Sequence, residues 1–478
     1  MKLKNISILL VLIGIILYIL WSYGTFCPGW VEWEDNYITG TSGSFSISLK
    51  NKTVHVINEN REIWKSPKEV KVQQILSADI DHDGMDELIL LCWKKGIFGK
   101  YKPFWIKKDE KKWFQHIFVY EYAENEILPK WMSSYIGQDV EKISSGGKKK
   151  YGEYLLLTDP MGEISYWKWD DWGFTKEDAE VSFTIFGDNL IHQPIYTYGL
   201  NHDGNFNFLY EGIKEAIDKN DIAIINQETP FVTDSYKYSD YPRFGTPIQV
   251  GEAIVDAGFD VATCSTNHAL DQGIEGIQTT KNFFTENKML CLGIQTTEEQ
   301  ENKPYEIIMK KNIKFALFNY TYGTNGIPLP DGYPYMVHLL EDEGQIQKDI
   351  EKARQEADFI IIFVHWGTEN MEEIDDFQKK WASFFLENKV NAVIGTHPHL
   401  LQPYEMLEGT DGHKMLIYYS IGNFVSAQPE ISCIKGGMAH FTIAPVPGGY
   451  EIKNYNLTPL TILWKKGGGY SPILTHLP

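Results

Sequence analysis

From residue 180 onward the chain alternates between two hydrophobic periods. Short apolar runs at 181–186, 221–225, 259–263, 289–292, 313–319, 359–364, 390–394, 415–419 and 438–444 read as buried strands. Between them, apolar residues recur at three- and four-residue spacing over 206–218, 247–257, 273–287, 344–357 and 377–386, which predicts helices. The helix over 344–357 has one face marked by Ile346, Ile350, Ala353 and Ala357. The helix over 377–386 has Phe377, Trp381 and Phe384 or Phe385. Strands alternating with helices predict an α/β sandwich with a mixed sheet over 180–460, followed by a C-terminal tail at 461–478. From 30 to 178 the pattern differs. Short alternating strands at 44–49, 53–57, 62–65, 87–92, 115–121, 153–158 and 163–169 are punctuated by Gly, Asp, Asn and Pro. This predicts an all-β domain, with Lys148–Lys150 in a solvated loop.

The first 24 residues follow neither period. No charge occurs from 5 to 31, and 6–21 (ISILLVLIGIILYILW) is almost wholly aliphatic, preceded by Lys2 and Lys4. The expectation is a single membrane anchor over 1–24, with the N-terminus inside and the domains outside the cell. No small-residue cleavage signal follows it.

A chain of 478 residues with 43% hydrophobic content can bury more than one core. A net charge of −20 argues against nucleic acid, whose phosphates call for a basic surface. Of five cysteines, Cys92, Cys264 and Cys291 sit in or beside apolar strands, and Cys27 and Cys433 complete an odd number. They read as small buried hydrophobes rather than a disulfide framework.

The chemistry lies at the strand ends. The run at 390–394 is followed by Gly395-Thr396-His397-Pro398-His399, where two imidazoles two residues apart can point at one metal. Other runs end in Gly187-Asp188-Asn189-Leu190-Ile191-His192, Asn226-Gln227-Glu228-Thr229-Pro230, Thr266-Asn267-His268-Ala269-Leu270-Asp271, His365-Trp366-Gly367-Thr368-Glu369 and Ser420-Ile421-Gly422-Asn423-Phe424. Ligand-type residues after successive strands converge on the crevice where open α/β sheets bind. In the β region, Asp79, Asp81, Asp83, the Met85 carbonyl and Glu87 alternate around Gly84, as oxygen ligands wrap a hard cation such as Ca²⁺. Leu90 stands where an EF-hand needs its last Glu. The stretch resembles instead the calcium loops of integrin-type (FG-GAP/VCBS) propeller repeats, which implies a structural Ca²⁺ and offers a propeller-like architecture as one form of the all-β domain.

The ordered series GDNLIH, NQETP, TNHALDQG, HWGTE, GTHPH and SIGNF resembles the calcineurin-like metallophosphoesterases. It is still more similar to their CapA branch, the poly-γ-glutamate capsule biosynthesis proteins. The resemblance spans about 270 residues. It implies a metallophosphoesterase-like sandwich with two divalent transition metals (Mn, Zn or Fe). Asp188 and His399 would hold one metal, and Asn267, His365 and His397 the other, with Glu228 in the bridging position. His268 would be the general acid, oriented by Asp271. The second histidine of the superfamily's D-x-H is Leu190 here, and His192 replaces it if that turn is helical. Glu369 is expected to hold a ligand imidazole from behind or to cap the next helix, and Asn423 to fix the loop facing the site. The function implied is a membrane-anchored, metal-dependent hydrolase acting on an anionic capsule polymer or a phosphoester, alongside capsule synthesis proteins. The alternatives are a non-catalytic surface scaffold and a phosphoesterase on an unrelated surface substrate.

Overall fold

The computed structural model describes residues 12–16, 27–33, 35–39, 45–98, 104–123, 126–147, 153–170, 172–299, 301–465 and 469–474. The chain divides into two compact units: Met1–Ala179 with Pro445–Tyr450, and Glu180–Ala444 with Glu451–Pro478. Of the expected anchor, a short helix, α1 (residues 12–16), is described. The rest of the anchor and Lys148–Lys150 lie outside the described residues. Among the described residues no helix is long and apolar enough to cross a membrane.

The first unit holds three consecutive antiparallel meanders. The first is β1 (Asn36–Thr39), β2 (Phe45–Lys50), β3 (Thr53–Asn58) and β4 (Arg61–Lys65). The second is β5 (Lys71–Ala78), β6 (Glu87–Lys95), β7 (Trp113–Ala123) and β8 (Glu126–Met132). The third is β9 (Lys142–Gly146), β10 (Tyr154–Thr158), β11 (Ile164–Asp170) and β12 (Gly173–Glu177). Side chains alternate across a strand, and β6 uses both faces. Leu88, Leu90 and Cys92 pack with Ile47, Val54 and Val56 of the first sheet. Ile89 and Leu91 pack with Ile143, Leu155 and Leu157 of the third. A propeller is not established: three sheets are fewer than the typical ring of about 4–8 blades.

The second unit is a four-layer α-β-β-α sandwich. It opens with β13 (Val181–Asn189), α2 (Gln193–Leu200), α3 (Lys214–Asp218), β14 (Ile222–Gln227), β15 (Phe231–Val232) and β16 (Thr246–Pro247). Next come α4 (Gln249–Ala257), β17 (Val261–Thr263), α5 (Gly273–Glu286), β18 (Leu290–Leu292), β19 (Tyr305–Lys310) and β20 (Ile313–Thr321). Then follow α6 (Glu343–Glu356), β21 (Phe359–His365), α7 (Asp376–Glu387), β22 (Ala392–Thr396), β23 (Tyr404–Glu408) and β24 (Lys414–Tyr418). It closes with β25 (Asn423–Val425), β26 (Lys435–Val446), β27 (Gly449–Lys465) and β28 (Gly469–Leu474). One sheet runs β18-β17-β14-β13-β26-β27-β28, with β25 beside β13. The other runs β19-β20-β21-β22-β24-β23. In each sheet the central strands are parallel, so their carboxyl ends share one edge. Phe183 of β13 meets Phe315 of β20 edge-on at 5.1 Å between the sheets. Val250, Ile254, Ile277 and Phe284 of α4 and α5 cover one outer face. Ile346, Ile350, Trp381 and Phe385 of α6 and α7 cover the other.

Two expectations fail here, the single helix over 206–218 and the burial of Phe377. The helix over 206–218 is broken into a 3₁₀ turn and α3, and between them Gly212 packs against β28 so closely that a Cβ there would lie 2.5 Å from the Pro472 carbonyl. Within the expected C-terminal tail, the described residues 461–465 continue β27 and 469–474 form β28, the two strands pair, and Ile462 enters the core. Phe377, expected on the buried face of α7, is 38% exposed.

Candidate metal centre

Close backbone approach builds the crevice. A Cβ on Gly187 would lie 1.8 Å from the Gly422 carbonyl, so glycine lets the end of β13 meet the turn before β25. The Asp188 N–H donates to that carbonyl at 3.1 Å, which carries Asp188 into the site. In the loop after β22, His397 and His399 adopt φ of 97° and 61°. Left-handed backbone at two non-glycine residues stores strain of the kind that collects at functional sites. It aims both imidazoles inward.

Glu228, His397 and His399 bring ligand atoms within 4.8 Å of one another, and all three are buried. Asp188 Oδ2 lies 3.1 Å from His399 Nδ1 and accepts from the His397 N–H at 3.2 Å. His365 Nε2 stands 3.7 Å from Glu228 Oε1, 3.1 Å from His397 Nδ1 and 2.9 Å from Asn267 Oδ1. Six of the seven expected metal ligands therefore share one pocket. His192 does not join them. The turn after Asn189 is extended rather than helical (His192 ψ 165°), and His192 Nδ1 faces the Leu190 carbonyl at 3.2 Å and the Ala427 N–H at 3.3 Å.

The electrostatics separate the ligands. Burial, then the neighbouring imidazoles, hold His365 and His397 well below the usual histidine range, so both are neutral donors. Burial opposes charge on His399 too, but Glu228 and Asp188 outweigh it and hold the imidazole at about 9. Burial, followed by the Asp188 charge, pushes the Glu228 carboxyl well up. Both Glu228 oxygens are buried without a hydrogen-bond partner. An unpartnered buried carboxylate is costly. Beside neutral imidazoles it is the donor set that a divalent transition cation fills. The residues fit such an ion.

His268 Nδ1 lies 2.7 Å from Asp271 Oδ2, and the same oxygen accepts from the Phe244 N–H at 2.7 Å. The Phe244 ring stands edge-on to His268 at 4.8 Å and to His192 at 5.3 Å. Asn423 Oδ1 lies 3.0 Å from His399 Nδ1, and its amide donates to the Cys433 carbonyl at 3.1 Å. Glu369 takes neither expected part. Thr396 Oγ1 holds His365 Nδ1 at 3.0 Å, and Asp375 caps α7 through a reciprocal pair with Gln378. Glu369 is exposed and acts by charge on Glu228, His399 and Tyr322.

Three site residues escaped sequence reasoning. Asn226 Nδ2 donates to Asp188 Oδ1 at 2.7 Å. Thr396 lies inside GTHPH itself. The Tyr322 ring lies 4.6 Å from that of His397, and burial, then Glu369 and Glu228, push its phenol up to about 12. Tyr322 follows β20, a strand end like the others, and that position was its available signal.

In the β unit, Asp79, Asp81 and Glu87 cluster as expected for the calcium loop, and the Asp83 carboxylate lies outside that side-chain cluster. Asp83 Oδ1 accepts from the Met85 N–H at 2.7 Å, and Met85 is exposed. The cationic position is taken by Lys130, whose ammonium bonds Asp81 Oδ2 and reaches Glu87 Oε1 at 2.6 Å. The expected Ca²⁺ thus has a competitor built into β8.

The sequence profile of the bacterial capsule synthesis protein PGA_cap matches residues 182–428, more than half of the chain. The chain belongs to this family. It is similar to the PGA biosynthesis protein CapA of Bacillus subtilis, 23% identical over 325 residues covering 64% of this chain and 83% of that one. It is also similar to the capsule biosynthesis protein CapA of Bacillus anthracis, 22% identical over 53% of this chain and 61% of that one. Among solved structures it is similar to an NAD nucleotidase of Haemophilus influenzae at 12% identity, 62% and 60% coverage and a TM-score of 0.39, too slight a likeness to carry an argument. The PGA_cap match takes in each of the six strand-end segments that build the crevice.

Proposed function

We propose that this PGA_cap chain is a cell-surface protein with a metal-dependent, hydrolase-type centre. It acts in the synthesis, tethering or release of an anionic capsule polymer such as poly-γ-glutamate. In this reading its N-terminal apolar segment anchors it in the cell membrane, with both units outside. The sandwich is then of the metallophosphoesterase type.

The observation that carries the reading is Glu228, whose two buried oxygens lack partners while imidazoles of His365, His397 and His399 surround them. Asp188, Glu228, Asn267, His365, His397 and His399 would hold two divalent transition metals (Mn, Zn or Fe). When bound, such a pair supplies Lewis acidity and a nucleophile at neutral pH. The chain's own residues do the rest. Asp271 holds His268 at Nδ1, which leaves Nε2 to exchange a proton with the leaving group. The edge of Phe244 keeps that imidazole oriented and screens one side of it from water.

A second reading, a non-catalytic surface scaffold that binds polymer carboxylates, is favoured by one observation. Leu190 occupies the position of the superfamily's second histidine, and the His192 ring is engaged elsewhere.

The test is metal analysis of the full chain together with hydrolysis of a generic phosphodiester and of poly-γ-glutamate. About two transition metals per chain with turnover supports the enzyme, and the substrate that turns over names its class. Metal without turnover moves the protein to the scaffold reading. A metal-free chain that resists reconstitution rejects both.

A further inference from the structure

A chain of charge −20 needs a local device to admit a polyanion. Arginine, whose planar fork grips carboxylate and phosphate in two parallel bonds, is scarce: Arg61, Arg243 and Arg354 are the only three in 478 residues. Arg61 lies on β4 of the other unit, and Arg354 donates to the Asn388 carbonyl behind α7. Arg243 is different. It is exposed, and among the described residues no hydrogen bond or ion pair engages it.

Its setting is fixed. The connection 233–245 is closed at its base by the β15–β16 ladder and by a bridge between Ser239 and Gly245. The next residue, Phe244, is 1% exposed, donates its N–H to Asp271 and lays its ring edge-on to His268. Arg243 is therefore one peptide from the Asp271–His268 pair. The other charges of the connection are occupied. Lys237 pairs with Glu275, Asp234 accepts from the Tyr236 hydroxyl at 2.9 Å, and Asp240 accepts from the Tyr241 N–H at 2.8 Å.

We propose that Arg243 recognises the substrate: its guanidinium takes a carboxylate or phosphate oxyanion and seats the anion beside His268. The proposal rests on the hydrolase reading above and names the group that reading leaves open. It makes the site selective for anions despite the field of the whole chain, and Lys at this position serves less well because an ammonium is a point charge.

The experiment titrates the metal-loaded full chain with poly-γ-glutamate and, separately, with inorganic phosphate, for wild type, Arg243→Ala and Arg243→Lys. Metal content is measured in each. Expected is wild-type binding to at least one probe, weakened about 10- to 100-fold in Arg243→Ala and less in Arg243→Lys, at equal metal content. The probe that responds tells a carboxylate polymer from a phosphoester. Wild-type affinity in Arg243→Ala overturns the role of Arg243 and leaves the hydrolase reading standing. A metal-loaded wild type that binds neither probe overturns both.

Discussion

His399 Nδ1 and Asp188 Oδ2 lie 3.1 Å apart, although 211 residues separate them in the chain. One comes from the loop after β22, the other from the end of β13, so the pair joins the edges of the two sheets. His399→Ala would leave Asp188 and Glu228 as neighbouring buried carboxylates with no opposing charge. The chelated protein should lose about 3–5 kcal/mol, read from chemical denaturation. The pH sign follows from the raised imidazole, held at about 9 by Glu228 and Asp188 against burial. Its stabilisation is complete below roughly 6.5, the unfolded value, and is lost as pH rises through 9. A chelated wild type that is equally stable at pH 6 and 9.5 would break this linkage.

Glu228→Gln behaves differently. It replaces a carboxyl that burial and the Asp188 charge already push toward its neutral form, with both oxygens unpartnered, so the chelated variant should be about as stable as the chelated wild type. It should also bind much less transition metal, because the anionic donor is gone. Thermal melts with chelator, paired with elemental analysis, check both halves. A variant that keeps full metal content removes Glu228 from the centre.

His268 lies outside the Glu228–His397–His399 cluster and is held by Asp271 at 2.7 Å. His268→Ala should keep the metal and lose turnover by about 10²–10⁴-fold. Asp271→Asn should keep the metal too, with a smaller loss and a shifted pH–rate profile, since an amide no longer fixes the Nδ1–H tautomer. Full activity in His268→Ala would exclude it from proton transfer.

The α/β unit was legible in the sequence because its strands are buried on both faces and its ligands follow them directly. Asp188, Glu228, His365 and His397 are each within a few residues of an apolar run. The β unit was legible only in part. The missed strands β1, β5, β8, β9 and β12 all lie at sheet edges, where one side meets solvent and residues such as Gln73 and Gln74 interrupt the alternation. Gln73 earns its burial through hydrogen bonds to Trp93, Gln115 and the Glu141 carbonyl, a non-local network that no window reveals. Lys130 escaped for the same reason: it lies 49 residues from Asp81. His192 failed because its place depended on a backbone conformation, not on spacing.

Lys130 offsets part of the negative charge of the acidic loop of the β unit. Its ammonium bonds Asp81 and Glu87, and the Asp79 side chain is buried beside them. Wild-type melting should therefore be the same with Ca²⁺ and with chelator. Lys130→Met should lower the melting temperature in chelator and regain part of the loss when Ca²⁺ is added, because three carboxylates then face an uncompensated site. A wild type that melts several degrees higher in Ca²⁺ would mean that the ion displaces the ammonium.

His338 gives the molecule an acid-side weakness far in sequence from the metal loops. It is buried, with Nε2 2.9 Å from Gln295 Oε1 and Nδ1 without a partner. Burial, then the Lys281 charge, hold its imidazole down at about 4. The folded value lies below the unfolded one, so between roughly 6.5 and 4 the unfolded chain takes up the proton first. Stability is whole above that window and falls as pH drops through it, by roughly 3 kcal/mol in the limit. His338→Gln should flatten this slope in denaturation curves taken from pH 7 to pH 4. The amide keeps a donor toward Gln295 and carries no titration. An unchanged slope in the variant would assign the acid sensitivity to the carboxylates instead.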